Sequence, residues 1–496
     1  MLPATRSNSN GTDFIVSLDI GTSSVRALLF DDQGLEQEHY GLQIPYEPRK
    51  TPDGGVEVDA DFLRGLCEQA LDALHRQMES DGLRAAGAAM SAFWHSFLGV
   101  DAAGAPATPL IHLFDTRSTA QVERLKQQVD ADAQHRRTGC LLHTSYWPAK
   151  LLFLADTQPD AVARTRHWWS LGEYLYSRWL GQPRSSESMV SGSGIWHQWR
   201  HAYDAEMLAL LPVRAEMLAR PEDLDHPAQG LLPAYRQRWP LFADMPWFPA
   251  LGDGACNNLG SGCVTGKRFA LMVGTSGAMR TVLVDGAVEP PAGLWSYRAD
   301  RRRQILGGAI SNGGQVYAWW QAALDLPDES VLDSQLAAMQ PGAHGLTVLP
   351  FFAGERAPYW RADLRAAVIG MSLATKPIDL LRASLESVAL RFRQIYRLMT
   401  ARTGEPEEVV ASGGALLHSR AWTQMMADAL GRPVVACAEA EASSRGAALW
   451  AWERLGRGTL ESAPLRTSGV VEPRPQYAAV YDEMLAAQTR LYEKLY

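Results

Sequence analysis

The stretch FIVSLDIGTSSVRALLF, residues 14–30, decides how the rest of the chain is read. Phe14 to Leu18 is an apolar, strand-like run. Asp19 leads into the small polar turn Gly21-Thr22-Ser23, and Val25 to Phe30 is a second apolar run ending at Asp31-Asp32-Gln33-Gly34. Strand, tight turn, strand is the simplest reading. The same arrangement returns in FALMVGTSGAMRTVLV, residues 269–284, where Gly274-Thr275-Ser276 repeats the tripeptide 253 residues later. Each copy continues into an arginine, an apolar run and an aspartate, which predicts an internal duplication of two similar halves. The copies differ at one informative place: Asp19 in the first is matched by Met272 in the second.

Working outward, Phe62, Leu66, Ala70, Leu74 and Met78 recur at helical spacing over 59–79. Ala86 to Met90 then leads into another strand-like segment, AFWHSFLGVDAAG. Strands alternating with helices predict an α/β class. The 496 residues allow roughly two to four domains. With 46% hydrophobic and 21% charged residues, the bulk of the chain can bury large cores. A formal charge of -8 argues against a nucleic-acid binder, though two or three local cations suffice for a small anion. No apolar run nears the ~20 residues of a membrane helix. MLPATRSNSNGT, residues 1–12, lacks the apolar core of a signal peptide and reads as a flexible tail. Five scattered cysteines without C-x2-C spacing fit a reduced, cytoplasmic compartment.

Gly-Thr-Ser turns present backbone N–H groups and hydroxyls that suit phosphate oxygens, and an adjacent Asp19 is able to hold Mg2+ or its waters. Taken singly, each turn is more simply an ordinary hairpin. Ser412-Gly413-Gly414-Ala415 follows a strand-like run and opens a helical one, a place for a nucleotide against a helix N-terminus; Ser311-Asn312-Gly313-Gly314 has the same form. Asp253, flanked by Gly252 and Gly254, is placed to take a hydroxyl proton during phosphoryl transfer, where positioning outweighs base strength. A bare Asp-Gly is otherwise a turn. His95, and Asp115 with Arg117, follow strand-like runs, where α/β folds present ligand groups. Their bland readings are a core histidine and a surface ion pair. The pairs Trp168-Trp169 and Trp319-Trp320 read as core. Two motifs fail: GSGCVTGKR lacks the spacing and hydroxyl of a P-loop, and no G-x-S-x-G elbow is completed.

SLDIGTSSVRALLFDDQG, GDGACNNLGSG, LMVGTSGAMR and VVASGGALLHSRAWTQMMADALGRPV resemble, in order and spacing, the phosphate, catalytic and adenosine segments of the FGGY carbohydrate kinases. GMSL at 370–373, followed by Asp379 to Glu386, fits the same pattern. The resemblance spans about residues 13 to 490. It implies two ribonuclease-H-like domains of the actin/hexokinase superfamily flanking a deep cleft, with a sugar-side domain at 13–262 and a nucleotide-side domain at 263–496. It further implies ATP and Mg2+ as cofactors, a sugar acid or polyol as partner, and neither nucleic acid nor membrane; a homodimer is compatible with it. By position, Asp253 resembles the family's catalytic base and Asp19 its Mg2+-organising residue. Thr22, Ser23, Arg26, Gly274 and Thr275 are similar to phosphate-contacting positions. Gly314, Gly413, Gly414 and His418 fall where the family lines the nucleotide pocket, His418 replacing an expected amide.

Sugar-facing segments such as RTGCLLHTSYWPAKLLFL and PFFAGERAPYWRADLR are similar to the gluconokinase branch. That implies transfer to D-gluconate, giving 6-phosphogluconate, with a xylulokinase or other pentulose or polyol kinase as the alternative. A substrate carboxylate calls for a cation, for which Arg117, Lys150 and Arg356 are candidates. His95, Trp94, Asp115 and His143 are expected around the polyol. Trp94, Phe114 and Phe153 depart from the branch pattern near that pocket. A catalytically silent sensor and an actin-like ATPase are the rivals from other classes.

Overall fold

In the computed structural model, residues 13–220 and 225–496 are described. The expected tail at 1–12 lies outside them. The chain divides into two compact units. Unit 1 comprises the described residues up to Gly260 together with Tyr297–Arg302 and Glu441–Pro464; unit 2 holds Ser261–Ser296, Arg303–Ala440 and Leu465–Tyr496. A single division after 262 would leave 297–302 and 441–464 in the second half, whereas both segments pack into unit 1.

The sheet of unit 1 has five strands in the order Trp247–Gly252, Arg84–Ala92, Asp13–Ile20, Ser24–Phe30, Glu36–Pro45. Asp13–Ile20 runs parallel to Arg84–Ala92, which runs parallel to Trp247–Gly252, and the other two strands follow as antiparallel hairpins. Phe14, Ile15, Val16, Leu18 and Ile20 are all buried, as expected of a central strand covered on both faces. The helix Ala60–Ser80 is capped by Asp59, whose carboxylate accepts from Phe62 N. Its inward face carries Leu63, Leu66, Cys67, Ala70, Leu71, Leu74 and Met78, while Phe62 is 52% exposed. The apolar stripe is thus rotated from the one that began at Phe62, because the cap places that residue on the solvent side of the first turn.

The sheet of unit 2 repeats the order: Arg303–Ile310, Gly277–Val284 and Arg268–Val273 are antiparallel, and Glu408–Ser412 and Val434–Cys437 continue in parallel. Strands at both ends, Trp295–Arg298 and Thr467–Val471, extend it to seven. The 27-residue helix Pro377–Thr403 packs Leu381, Leu385, Val388, Phe392 and Ile395 into this core. Trp168, Trp169 and Trp320 are buried as read, but Trp319 is 48% exposed, its ring lying against Phe352.

Helix Ala442–Arg454, though late in the chain, is built into unit 1. Ser17 Oγ donates to Ser444 O at 2.8 Å, and Arg445 donates to Gly34 O at 2.9 Å and Gly260 O at 2.5 Å. A Cβ on Gly446 would lie 1.9 Å from Cys256 O, and one on Gly260 1.8 Å from Ala442 O. The helices Asp253–Gly260 and Ala442–Arg454 therefore touch backbone to backbone, which only glycine permits at those two positions.

Candidate functional site

In unit 1 the C-terminal ends of parallel strands bring the acidic candidates together. Asp19 is the penultimate residue of the first strand and pairs in register with Ser91 of the neighbouring strand Arg84–Ala92, and Leu251 pairs with the same Ser91 from the other side. Asp253 follows directly on Gly252 and is the first residue of the helix Asp253–Gly260, so it stands at a strand-to-helix junction rather than in an Asp-Gly turn. Its Oδ1 accepts from Gly254 N at 2.7 Å. Burial pushes the Asp19 carboxyl up to about 6; Ser91 and Arg26 pull it back, and Asp253 and Glu441 push it further up. Asp19 Oδ1 is buried and meets no donor at full hydrogen-bond geometry. Arg26 Nη1 lies 3.9 Å from Asp19 Oδ2 and 2.5 Å from Glu441 Oε2. Three carboxylates and one guanidinium leave a local charge of about -2 around the buried oxygen of Asp19. Among the described residues no three acidic, histidine or cysteine side chains converge as a metal cage, so a divalent cation here would take Asp19 together with ligands from phosphate and water.

The turn after Asp19 is held from below. Gly21 N donates to Ser24 O, Tyr46 N donates to Ser23 O, and the Tyr46 hydroxyl donates to Gly21 O. Thr22 is half-buried and Ser23 exposed.

An aromatic wall adjoins Gly252. Trp94 is 5% exposed, and its indole covers the Gly252 backbone so closely that a Cβ there would meet Cε2 at 1.9 Å. Ser188 ties the two together: its carbonyl accepts from Trp94 Nε1 at 2.8 Å and its hydroxyl accepts from Gly252 N at 3.0 Å. His95 adopts a left-handed backbone, φ 68°, and its Nδ1 lies 2.6 Å from Gly192 O. Tyr146 and Tyr297 stand edge-on to the His95 ring and share a hydroxyl–hydroxyl hydrogen bond of 2.5 Å. Tyr297, from the segment that returns to unit 1, has no local sequence signal.

The cationic candidates are engaged within the protein. Arg117 bonds Asp115 through Nε and Nη2, and Glu57 through Nη2 at 2.6 Å. Burial opposes its charge, but these two carboxylates raise its pKa above the usual value. Asp115 is 1% exposed and also accepts from Val56 N, so the pair is a buried clamp, not a surface ion pair. Lys150 is 1% exposed and donates to His112 O at 2.8 Å and Ser145 O at 3.0 Å. Burial lowers its pKa to about 7, against the pull of Asp115. His112 next to it is lowered to about 3 by burial and by Lys150. His143 Nδ1 accepts from Ser145 N. Arg356, on unit 2, donates from Nη2 to Ile310 O.

Unit 2 gathers the glycine motifs. Gly314 N donates to Gly274 O at 2.7 Å, and Gly313 N and Gln315 N both donate to Thr275 O. Gly413, at φ 91°, would place a Cβ 2.4 Å from Val273 O, and one on Gly314 would meet the Ala415 side chain at 2.5 Å. Beside them is a cavity of about 190 Å³ lined by Tyr317, Gln321, Glu329, Asp333, Gly414 and His418, among others. Tyr317 and Gln321 were missed from sequence, although their one-turn spacing just after Gly313-Gly314 is the signal that would find them. Asp333 accepts from Ser419 Oγ and Ala421 N, which fixes the break that splits the predicted helical run at His418 and Ser419. A second cavity of about 940 Å³ in unit 1, lined by Trp169, Arg184 and Tyr203 among others, holds none of the candidate residues.

Residues 14–260 match the model of the N-terminal domain of the FGGY family of carbohydrate kinases, and residues 269–452 that of its C-terminal domain. The chain belongs to the FGGY family of carbohydrate kinases. It is a phosphotransferase, and kinases of this family use ATP with Mg2+. Among relatives, it is 24% identical over 452 residues to a gluconokinase of Bacillus subtilis (strain 168), covering 88% of this chain and 87% of that one. It is 22% identical to a xylulose kinase of Staphylococcus xylosus, covering 88% and 90%. A ligand-bound xylulose kinase from Lactobacillus acidophilus superposes with a TM-score of 0.90 at 25% identity, covering 97% of this chain and 98% of that one. A gluconate kinase from the same organism has the same TM-score at 24% identity, covering 98% of both chains, and supports the fold alone. No helix of the described residues is long and apolar enough to cross a membrane.

Proposed function

We propose that this FGGY kinase phosphorylates a hydroxyl of a small neutral polyol or ketose, a pentulose such as xylulose being the leading acceptor. The observation that carries this reading is the state of Arg117 and Lys150. Arg117 is neutralised by Asp115 and Glu57, and Lys150 is spent on two backbone carbonyls with its charge suppressed by burial. Neither offers the cation that a sugar acid needs. The Trp94, His95, Tyr146 and Tyr297 wall instead suits the CH faces and hydroxyls of an uncharged polyol.

In this reading Asp253 accepts the proton of the acceptor hydroxyl as the γ-phosphoryl of ATP moves onto its oxygen, and ADP leaves with the electron pair of the broken P–O bond. Gly254 N holds one oxygen of Asp253, so the other edge of the carboxylate is oriented before the acceptor arrives. Thr22, Ser23, Arg26, Gly274 and Thr275 would hold phosphate oxygens, and Gly314, Gly413, Gly414 and His418 the nucleoside side. Asp19 would hold Mg2+, which when bound offsets charge on the phosphates.

D-Gluconate is the second reading, favoured by the likeness to gluconokinases over 88% of the chain. The test is ADP release with ATP and Mg2+ across xylulose, ribulose, glycerol, erythritol and gluconate, beside a no-sugar control. Stimulation by a neutral acceptor is expected. Stimulation by gluconate alone would overturn the neutral reading, and equal ADP release without sugar would overturn both.

A further inference from the structure

Resting on the placement of Mg2+ at Asp19, we infer that Glu441 is a positioning residue that holds the Arg26 guanidinium off Asp19 and so keeps that carboxylate open to the metal. Arg26 stands directly opposite Asp19 across the hairpin, in register. Opposite charges in that relation normally close into a pair. Here they meet only at the outer limit of an ion pair, 3.9 Å, while Glu441 takes the same Nη1 at 2.5 Å. The guanidinium is drawn away from its cross-strand partner by a residue 415 positions further along the chain.

Glu441 is able to do this because its own place is fixed. It immediately precedes the helix Ala442–Arg454, which is anchored by the bond from Ser17 Oγ to Ser444 O and by the backbone contact at Gly446. Remove its charge, and the only carboxylate left in salt-bridge reach of Arg26 in unit 1 among the described ion pairs is Asp19. An arginine closed onto Asp19 competes with a divalent cation for the same oxygens. An acid before a helix N-terminus also favours the helix dipole. That effect acts on stability and does not pass through Arg26, so the two roles separate by experiment.

The test is a double-mutant cycle on the full chain: wild type, E441Q, R26Q and the double variant. The readout is the affinity for Mn2+ at saturating ADP, followed by the free-Mn2+ paramagnetic resonance signal, with thermal melting measured alongside. E441Q should weaken Mn2+ binding about tenfold when Arg26 is present, the scale of one neighbouring unit charge. In the R26Q background the same change should move it less than about twofold. Equal weakening in both backgrounds, or none in either, would overturn the proposal. If E441Q does not fold, E441D serves: it keeps the charge but draws it back, and weakening that R26Q does not relieve overturns the proposal equally. Failure of the unmutated protein to bind Mn2+ with ADP would instead remove the metal from Asp19, and this inference with it.

Discussion

Replacing Gly252 by alanine puts one methyl group where the structure has least room for it. The new Cβ would lie 1.9 Å from Cε2, 2.1 Å from Nε1 and 2.4 Å from Cδ2 of Trp94. Ordinary contact begins near 3.5 Å, so the indole or the strand must move by about 1.5 Å. The indole has little freedom: it is 5% exposed, its Nε1 is bonded to Ser188 O, and the Cβ position of Gly192 is 2.9 Å from its Cδ1. Overpacking of this kind costs about 1–3 kcal/mol, and losing the indole hydrogen bond adds about 1 kcal/mol. The melting transition that includes unit 1 should fall by about 3–7 °C. Because Asp253 is the next residue, a shift of the strand also displaces its carboxylate, and a displacement near 1 Å reduces turnover by about a hundredfold. Melting curves and a coupled ADP-release assay read the two effects. Adding W94L to G252A should recover most of the lost stability, measured by melting because Trp94 belongs to the proposed acceptor site. Wild-type melting and turnover in G252A would refute the reasoning, as would a loss of stability that W94L does not relieve.

Asp253→Asn should lower turnover by about a thousandfold while ADP affinity, measured by calorimetry, stays within a few-fold; near-normal turnover would remove Asp253 as the base. Gly446→Ala drives a Cβ to 1.9 Å from the Cys256 carbonyl, a backbone atom that cannot rotate aside, so the variant should be destabilised by more than about 3 kcal/mol or recovered insoluble. Lys150 gives a pH signature. Its folded pKa, about 7, is below the unfolded value near 10.5, so between those limits the unfolded chain binds a proton that the native one does not. Stability should therefore rise with pH from about 7 to 10, by up to about 1.4 kcal/mol per unit relative to K150M, in urea unfolding at matched pH. A constant difference between the two proteins across that range would mean Lys150 is charged when buried.

What was legible in the sequence was local. Asp19 and both Gly-Thr-Ser turns could be placed because a strand, a turn and its antiparallel return are written within 17 consecutive residues. Asp253 could be picked out by its glycines, though not as the start of a helix, since that depends on the helix Ala442–Arg454 packing beside it. The wall of Trp94, His95, Tyr146 and Tyr297 draws on three distant segments, and no periodicity links them. The clamp on Arg117 was half visible: Asp115 is two residues away, but Glu57 arrives from another strand. Phe62 and Trp319 carry the same lesson, because an apolar residue next to the buried face scans like one on it.

The lateness of Glu441–Pro464 has a consequence for how this protein is made. A ribosome delivers the chain from the N-terminus, so the first sheet, Asp253 and the aromatic wall all emerge before the segment that completes their unit. Until residue 464 is released, Gly260 and the Cys256 carbonyl face water where a helix belongs, and Ser17 has no acceptor. Most of unit 2 is synthesised during that wait. Unit 1 therefore closes only after residue 464 although it begins first, with Leu465–Tyr496 of unit 2 still to follow, and the N-terminal half produced alone should expose an open groove and aggregate. A chain rewired so that 441–464 followed Gly260 directly would remove the delay.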